Sequence, residues 1–144
     1  MQTIQNRIME GISTNSTVIC IFDEDVGQWN KTEKRRMDEI HHKYDNHDLV
    51  IIASSMPSIE YWLLLHFENT NRFFGTSSKV IETLKKYLIG FDKKEQYLKQ
   101  EKWVNALIDE DKMKQAHDRS KKLSHSGESY TDMWKAIDEF ENLK

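Results

Sequence analysis

Hydrophobic positions along this chain are bunched into a few short runs. Val18–Phe22 and Leu49–Ala53 are continuous, apolar and mostly β-branched, the pattern of strands covered on both faces. Between them, KTEKRRMDEIHHKY (Lys31–Tyr44) is charged and carries apolar residues only at Met37, Ile40 and Tyr44, a spacing that suits an exposed amphipathic helix. Strand, helix, strand over this length predicts a βαβ unit with two parallel strands and a right-handed crossover. In the following SSMPSIEYWLLLHF, Ser54 or Ser55 is placed to cap a helix and Pro57 to sit in its first turn, with a mostly apolar helix over Tyr61–Phe67.

The remainder reads as helical. Ser77–Leu88 repeats apolar residues close to every 3.6 positions, and Trp103, Leu107 and Ile108 mark another turn or two. Lys112–Leu123 and Tyr130–Leu143 predict two more helices, split by the turn-like SHSGES. The expected fold class is α/β: a small parallel sheet built on a βαβ core over about 17–67, then a helical half over about 77–143, with room for a helix before the first strand. Two strands make a thin sheet, so a third is expected from an unrecognised segment or from a partner.

Composition narrows this only modestly. The chain has 144 residues, one proline and five scattered glycines, which predicts a single domain without a linker. Its formal net charge of −3 gives no global basic footprint for nucleic acid. Cys20 is the only cysteine, which excludes an intrachain disulfide and a Cys zinc cluster. No apolar run approaches membrane-spanning length, and the polar start MQTIQNRIMEG lacks a signal-peptide core. A soluble, cytoplasmic protein with no membrane partner is expected.

The candidate chemistry begins where the first strand ends, in TVICIFDED. Asp23, Glu24 and Asp25 lie at the carboxyl end of a predicted parallel strand, where open α/β sheets bind ligands. Alternation puts Asp23 and Asp25 on one side if the extended backbone continues, and a divalent cation would neutralise their repulsion. Oxygen-only ligands suit Mg²⁺ or Mn²⁺; the competing reading is a solvated acidic loop. The second strand end brings Ser54, Ser55 and a helix N-terminus alongside, a place for a phosphate. Glu60 heads an apolar helix, where a carboxylate needs a partner or a metal. His66 reads as a packed core histidine. Lys31, Lys34, Arg35 and Arg36 form a local basic candidate for nucleic acid, and Lys112, Lys114, Arg119, Lys121 and Lys122 a second, each equally readable as a solvated helix face. Of the tryptophans, Trp29 is the candidate for an exposed, base-stacking ring.

Together VICIFDED and Ser55-Met56-Pro57-Ser58-Ile59-Glu60-Tyr61-Trp62-Leu63-Leu64-Leu65-His66-Phe67 resemble the RloB-like family, proteins of restriction–modification and phage-defence loci. Met56 stands where that family usually has asparagine, and Ile59 where it has phenylalanine. The resemblance spans roughly Thr17–Leu143 and extends to the Toprim fold. It implies a four-stranded parallel sheet, an Asp-x-Asp pair that binds Mg²⁺ (here Asp23 and Asp25), and a glutamate from an earlier strand acting as acid and base. Only Met1–Ser16 precedes the aspartate strand, too little for that strand and its helix, and Glu10-Gly11 resembles the glutamate signature only superficially. A shortened member with impaired catalysis is therefore expected, with Glu60 as the candidate catalytic carboxylate. Two function classes follow: metal-dependent chemistry on, or binding of, nucleic-acid phosphodiesters, and a non-catalytic module that recruits a defence partner or a second copy through its sheet edge or helical half.

Overall fold

The computed structural model describes residues 2–25 and 30–143; Trp29 lies outside them. The chain opens with α1 (Gln2–Ser13), ended by Asn15 in the left-handed region at φ 55°. Then come β1 (Val18–Asp23), α2 (Lys31–Tyr44) and β2 (Val50–Met56). The short α3 (Ile59–Leu64), α4 (Ser77–Leu84), α5 (Glu95–Leu98), α6 (Glu101–Leu107) and α7 (Glu110–Lys122) follow. A two-residue strand, β3 (Tyr130–Thr131), precedes α8 (Met133–Asn142).

The predicted βαβ unit is present. β1 and β2 pair in parallel from Val18 opposite Val50 to Asp23 opposite Ser55. A capping box starts α2: Asn30 Oδ1 accepts from the Glu33 N–H at 2.9 Å, and Glu33 Oε2 accepts from the Asn30 N–H at 3.1 Å. The three apolar residues picked from its sequence, Met37, Ile40 and Tyr44, are the ones it buries. They join Ile8, Val50 and Ile52 on one side of the sheet. The other side is packed by Tyr61, Leu64, Leu65, Val80, Leu84 and Ala136 among others, from α3, α4 and α8. Helices thus cover both faces, which is why the strand sequences are apolar without alternation.

Gly11 explains how α1 reaches the sheet. A Cβ there would meet Val18 Cγ2 at 2.1 Å, so the helix approaches β1 more closely than a side chain allows. Glu10-Gly11 therefore belongs to a helix, and Glu10 is exposed with Arg7 3.5 Å away. It does not end a strand.

Four expectations are corrected. First, the sheet has three strands in the order β1-β2-β3, with β3 antiparallel to β2. This replaces the four-stranded parallel sheet that the resemblance implied. The third strand was hidden inside the predicted Tyr130–Leu143 helix, and two residues cannot show a period. Second, β2 runs on to Met56, so Ser54 and Ser55 are buried strand residues and cap no helix. Third, Ser58 is the N-cap of α3 and Pro57, after a cis peptide bond, precedes the helix instead of opening it. Fourth, the regular helices over 61–67 and 77–88 end early, at Leu64 and Leu84, and continue as turns.

Candidate functional site

The carboxyl ends of β1 and β2 carry the acidic residues. Backbone pairing continues one residue past β1, since the Glu24 N–H donates to the Ser55 carbonyl at 2.8 Å. Asp23 and Glu24 therefore leave the sheet in opposite directions, and they enter different environments.

Asp23 sits at the rim and accepts the Ile59 N–H on Oδ1 at 2.8 Å, tying β1 to the first turn of α3. Partial desolvation raises its pKa; the Ile59 hydrogen bond opposes this, the negative charges of Glu60 and Asp25 add to it, and Lys93 opposes it. Glu60, only 2% exposed, lies close enough to be felt by Asp23. Its Oε1 is 3.0 Å from the Lys93 ammonium, and its Oε2 has no hydrogen-bond partner. Ser58 Oγ, from the same turn, is a further buried oxygen without a hydrogen-bond partner, whereas Ser54 Oγ faces the Glu24 side of the sheet. Buried polar atoms are nearly always satisfied, so Glu60 Oε2 and Ser58 Oγ, two positions apart at the start of α3, stand out as unpaired oxygens near Asp23.

By donor chemistry alone, these carboxylates are the kind of ligand a hard divalent cation takes. Asp23, Asp25 and Glu60 offer oxygen alone, and Asp23 keeps one carboxylate oxygen beyond the Ile59 contact. Among the described residues no group of three or more His, Cys, Asp or Glu side chains is placed to hold a metal ion.

Glu24 is buried, at 4% exposure, on the other side. Its Oε1 accepts from His41 Nε2 on α2 and its Oε2 from the Tyr130 hydroxyl on β3. His41 Nδ1 reaches Asp45 Oδ1 at 2.8 Å, so both ring nitrogens face carboxylates. The Glu24 hydrogen bond, against the opposing effect of burial and with help from Asp45, raises the His41 pKa to about 9. Burial opposes ionisation of Glu24, but the hydrogen bonds from His41 and Tyr130 outweigh it and hold its carboxyl below the ordinary value. Burial, then Glu24, pushes the Tyr130 hydroxyl far up. The middle acid of Asp-Glu-Asp is thus a clamp joining β1, α2 and β3. A cavity of about 250 Å³ beside it is lined by Lys34, His41, His125 and Tyr130.

The remaining sequence candidates are placed as follows. Ser55 Oγ is engaged by Thr131 Oγ1 at 2.6 Å, whereas Ser54 lies beside the Glu24–Tyr130 pair. His66 is the packed residue expected, bonded to the Trp62 carbonyl at 3.0 Å and held below its usual pKa by burial. Arg35 is exposed and pairs with Glu39 at 3.8 Å, and Arg36 is exposed on the same helix. In the second basic run, Arg119 donates to the Leu65 carbonyl at 2.8 Å and Lys112 lies over the Phe67 ring, so part of that run holds helices together.

Sequence reasoning missed His41, Tyr130 and Lys93. His41 showed only as one of two adjacent histidines in a charged helix, and Lys93 sits in a loop whose path to Glu60 no local pattern reveals.

A βαβ unit with carboxylates gathered at its strand ends defines a small α/β domain. The model of the RloB-like protein family matches residues 3–140, and the chain belongs to that family. No curated protein and no solved structure matches it. Among the described residues no helix is long and apolar enough to cross a membrane.

Proposed function

We propose that this RloB-like chain holds Mg²⁺ or Mn²⁺ at Asp23 and Asp25 and through it engages a nucleic-acid phosphodiester, in the setting of bacterial phage defence. The observation that carries the reading is Glu60: a buried carboxylate with one oxygen on Lys93, the other without a partner, and Asp23 close by. A divalent ion held there would neutralise phosphate charge and orient an attacking water. The residues divide the remaining work. Asp23 is fixed by the Ile59 N–H, which keeps its free oxygen directed by the backbone. Glu60 Oε2 is the oxygen suited to take a proton from a bound water. Lys93 offsets the carboxylates when no other cation is present, and its half-exposed ammonium is free to turn to a phosphate. The test is incubation of the purified chain with single- and double-stranded DNA and RNA in Mn²⁺. Mn²⁺-dependent cleavage or retention that disappears in Asp23→Asn supports the reading; no Mn²⁺ dependence on any substrate overturns it.

One observation favours a second reading, a non-catalytic module that pairs with a protein partner or a second copy. β1 is an edge strand, and Ile21 on it is 49% exposed. Light scattering on the wild type and on Ile21→Lys distinguishes this, since an edge-paired assembly dissociates in the variant.

A further inference from the structure

The charge of the molecule is unevenly spread. Residues 72–103 hold eight lysines and arginines against four acidic residues, whereas the rest of the chain holds 13 against 20. All eight cations are exposed. Lys93 is committed to Glu60 and Lys99 to Glu95, but Lys79, Lys85, Lys86, Lys94 and Lys102 have no carboxylate partner among the described residues. A run of like charges repels itself, so this face is relieved by a polyanion.

Aromatic rings are set among these lysines. Phe73 is 70% exposed and Tyr87 43% exposed; one face of the Tyr87 ring stacks on Phe67 at 5.1 Å and its hydroxyl donates to Glu68 Oε2 at 2.9 Å, so the ring is held rigid with its other side outward. Phe73 lines a cavity of about 430 Å³ together with Arg72, Lys79 and Lys86. Tyr87 lines another of about 300 Å³ with Tyr97, Lys102 and Trp103, and the Tyr97 and Trp103 rings stack at 6.3 Å. The adjacent residues Lys86 and Tyr87 line one cavity each, so the two are neighbours at the end of α4. Two clefts, each pairing an aromatic wall with cations, fit a ligand that alternates flat apolar faces with anionic links. Single-stranded nucleic acid has that chemistry, whereas a duplex hides its base faces.

We propose that the face formed by residues 72–103 binds single-stranded nucleic acid, with bases against Phe73 and the Tyr87–Trp103 cavity and phosphates against Lys85, Lys86, Lys94 and Lys102. This deepens the phosphodiester reading above. Lys93 belongs to the same segment and ends at Glu60, which links this face to the carboxylate at the head of α3. An acidic protein segment without apolar or aromatic side chains would use the charges alone.

The test is fluorescence anisotropy of the full chain with labelled single-stranded DNA, single-stranded RNA and the matching duplex, with EDTA present so that no metal contributes. Both single strands should bind more tightly than the duplex, and comparing them shows which nucleic acid is preferred. Phe73→Ala and Tyr87→Ala should each weaken binding about tenfold, the effect of one lost stacking contact. Lys85→Gln/Lys86→Gln should reduce the slope of log affinity against log salt by about 1.4. Phe73 is mostly exposed, so its variant stays informative should Tyr87→Ala unfold. Duplex binding as tight as single-strand binding, or affinity unchanged by both ring variants, overturns the proposal. Because EDTA removes the metal, strand binding that persists in Asp23→Asn upholds this face even where the metal reading fails.

Discussion

The Lys93 ammonium lies 3.0 Å from Oε1 of Glu60, a carboxylate that is only 2% exposed, and it approaches from a loop 33 positions away in the chain. A protein cation therefore offsets the charge of this buried carboxylate. Lys93→Met leaves Glu60 buried without its partner. The lysine is half exposed, so the loss is screened, and we expect destabilisation of about 1–2 kcal/mol in metal-free denaturant titration. The same variant should gain more stability from added Mn²⁺ than the wild type does, because the competing charge is gone. Equal gains would separate Lys93 from the cation site.

His41 sets a pH dependence. Its pKa is raised from 6.5 to about 9, so its contribution to stability is whole below about pH 6.5 and drains as pH rises towards 9. Glu24 works at the other end: its pKa is lowered, so its contribution is present above about pH 4.5 and is lost as pH falls through the depressed value. The folded chain should lose on the order of 2 kcal/mol between pH 6.5 and 9. His41→Asn should be less stable at pH 6 and should flatten that slope, as read from thermal melts across the range.

Tyr130→Phe tests the clamp from the β3 side. It removes the hydroxyl that donates to Glu24 and leaves a buried carboxylate oxygen unsatisfied, at a cost of about 1–3 kcal/mol. Because β3 is two residues long, amide exchange at Tyr130 and Thr131 should quicken with it.

Gly11→Ala should cost about 1–3 kcal/mol by pushing α1 off Val18. The gain in helix propensity from alanine, under about 1 kcal/mol, is too small to offset it. Chemical denaturation gives the sign directly.

What the sequence shows depends on whether the determining interaction is local. The βαβ unit was legible because two unbroken apolar runs and the Met37, Ile40, Tyr44 stripe are local patterns. The placement of Asp23 at a strand end followed from the same logic. β3 was not legible, because Tyr130 and Thr131 become a strand only by meeting Met56 and Ser55. Ser54 and Ser55 resemble a helix cap in isolation, yet pairing with β1 and β3 draws them into the sheet. The acidic triplet was visible as a group, but its division into an outward Asp23 and a clamped Glu24 depends on His41 and Tyr130, 17 and 106 positions away. No spacing rule reaches that far.

The assignment of Asp23 and Asp25 as cation ligands is tested most directly by isothermal titration calorimetry with Mn²⁺, on the wild type and on Asp23→Asn/Asp25→Asn. Asparagine at position 23 can still accept the Ile59 N–H, so the fold is preserved, and relief of carboxylate repulsion should leave metal-free stability equal or higher. The expected result is weak binding by the wild type and none by the double variant. Identical Mn²⁺ binding by the two proteins would contradict the assignment.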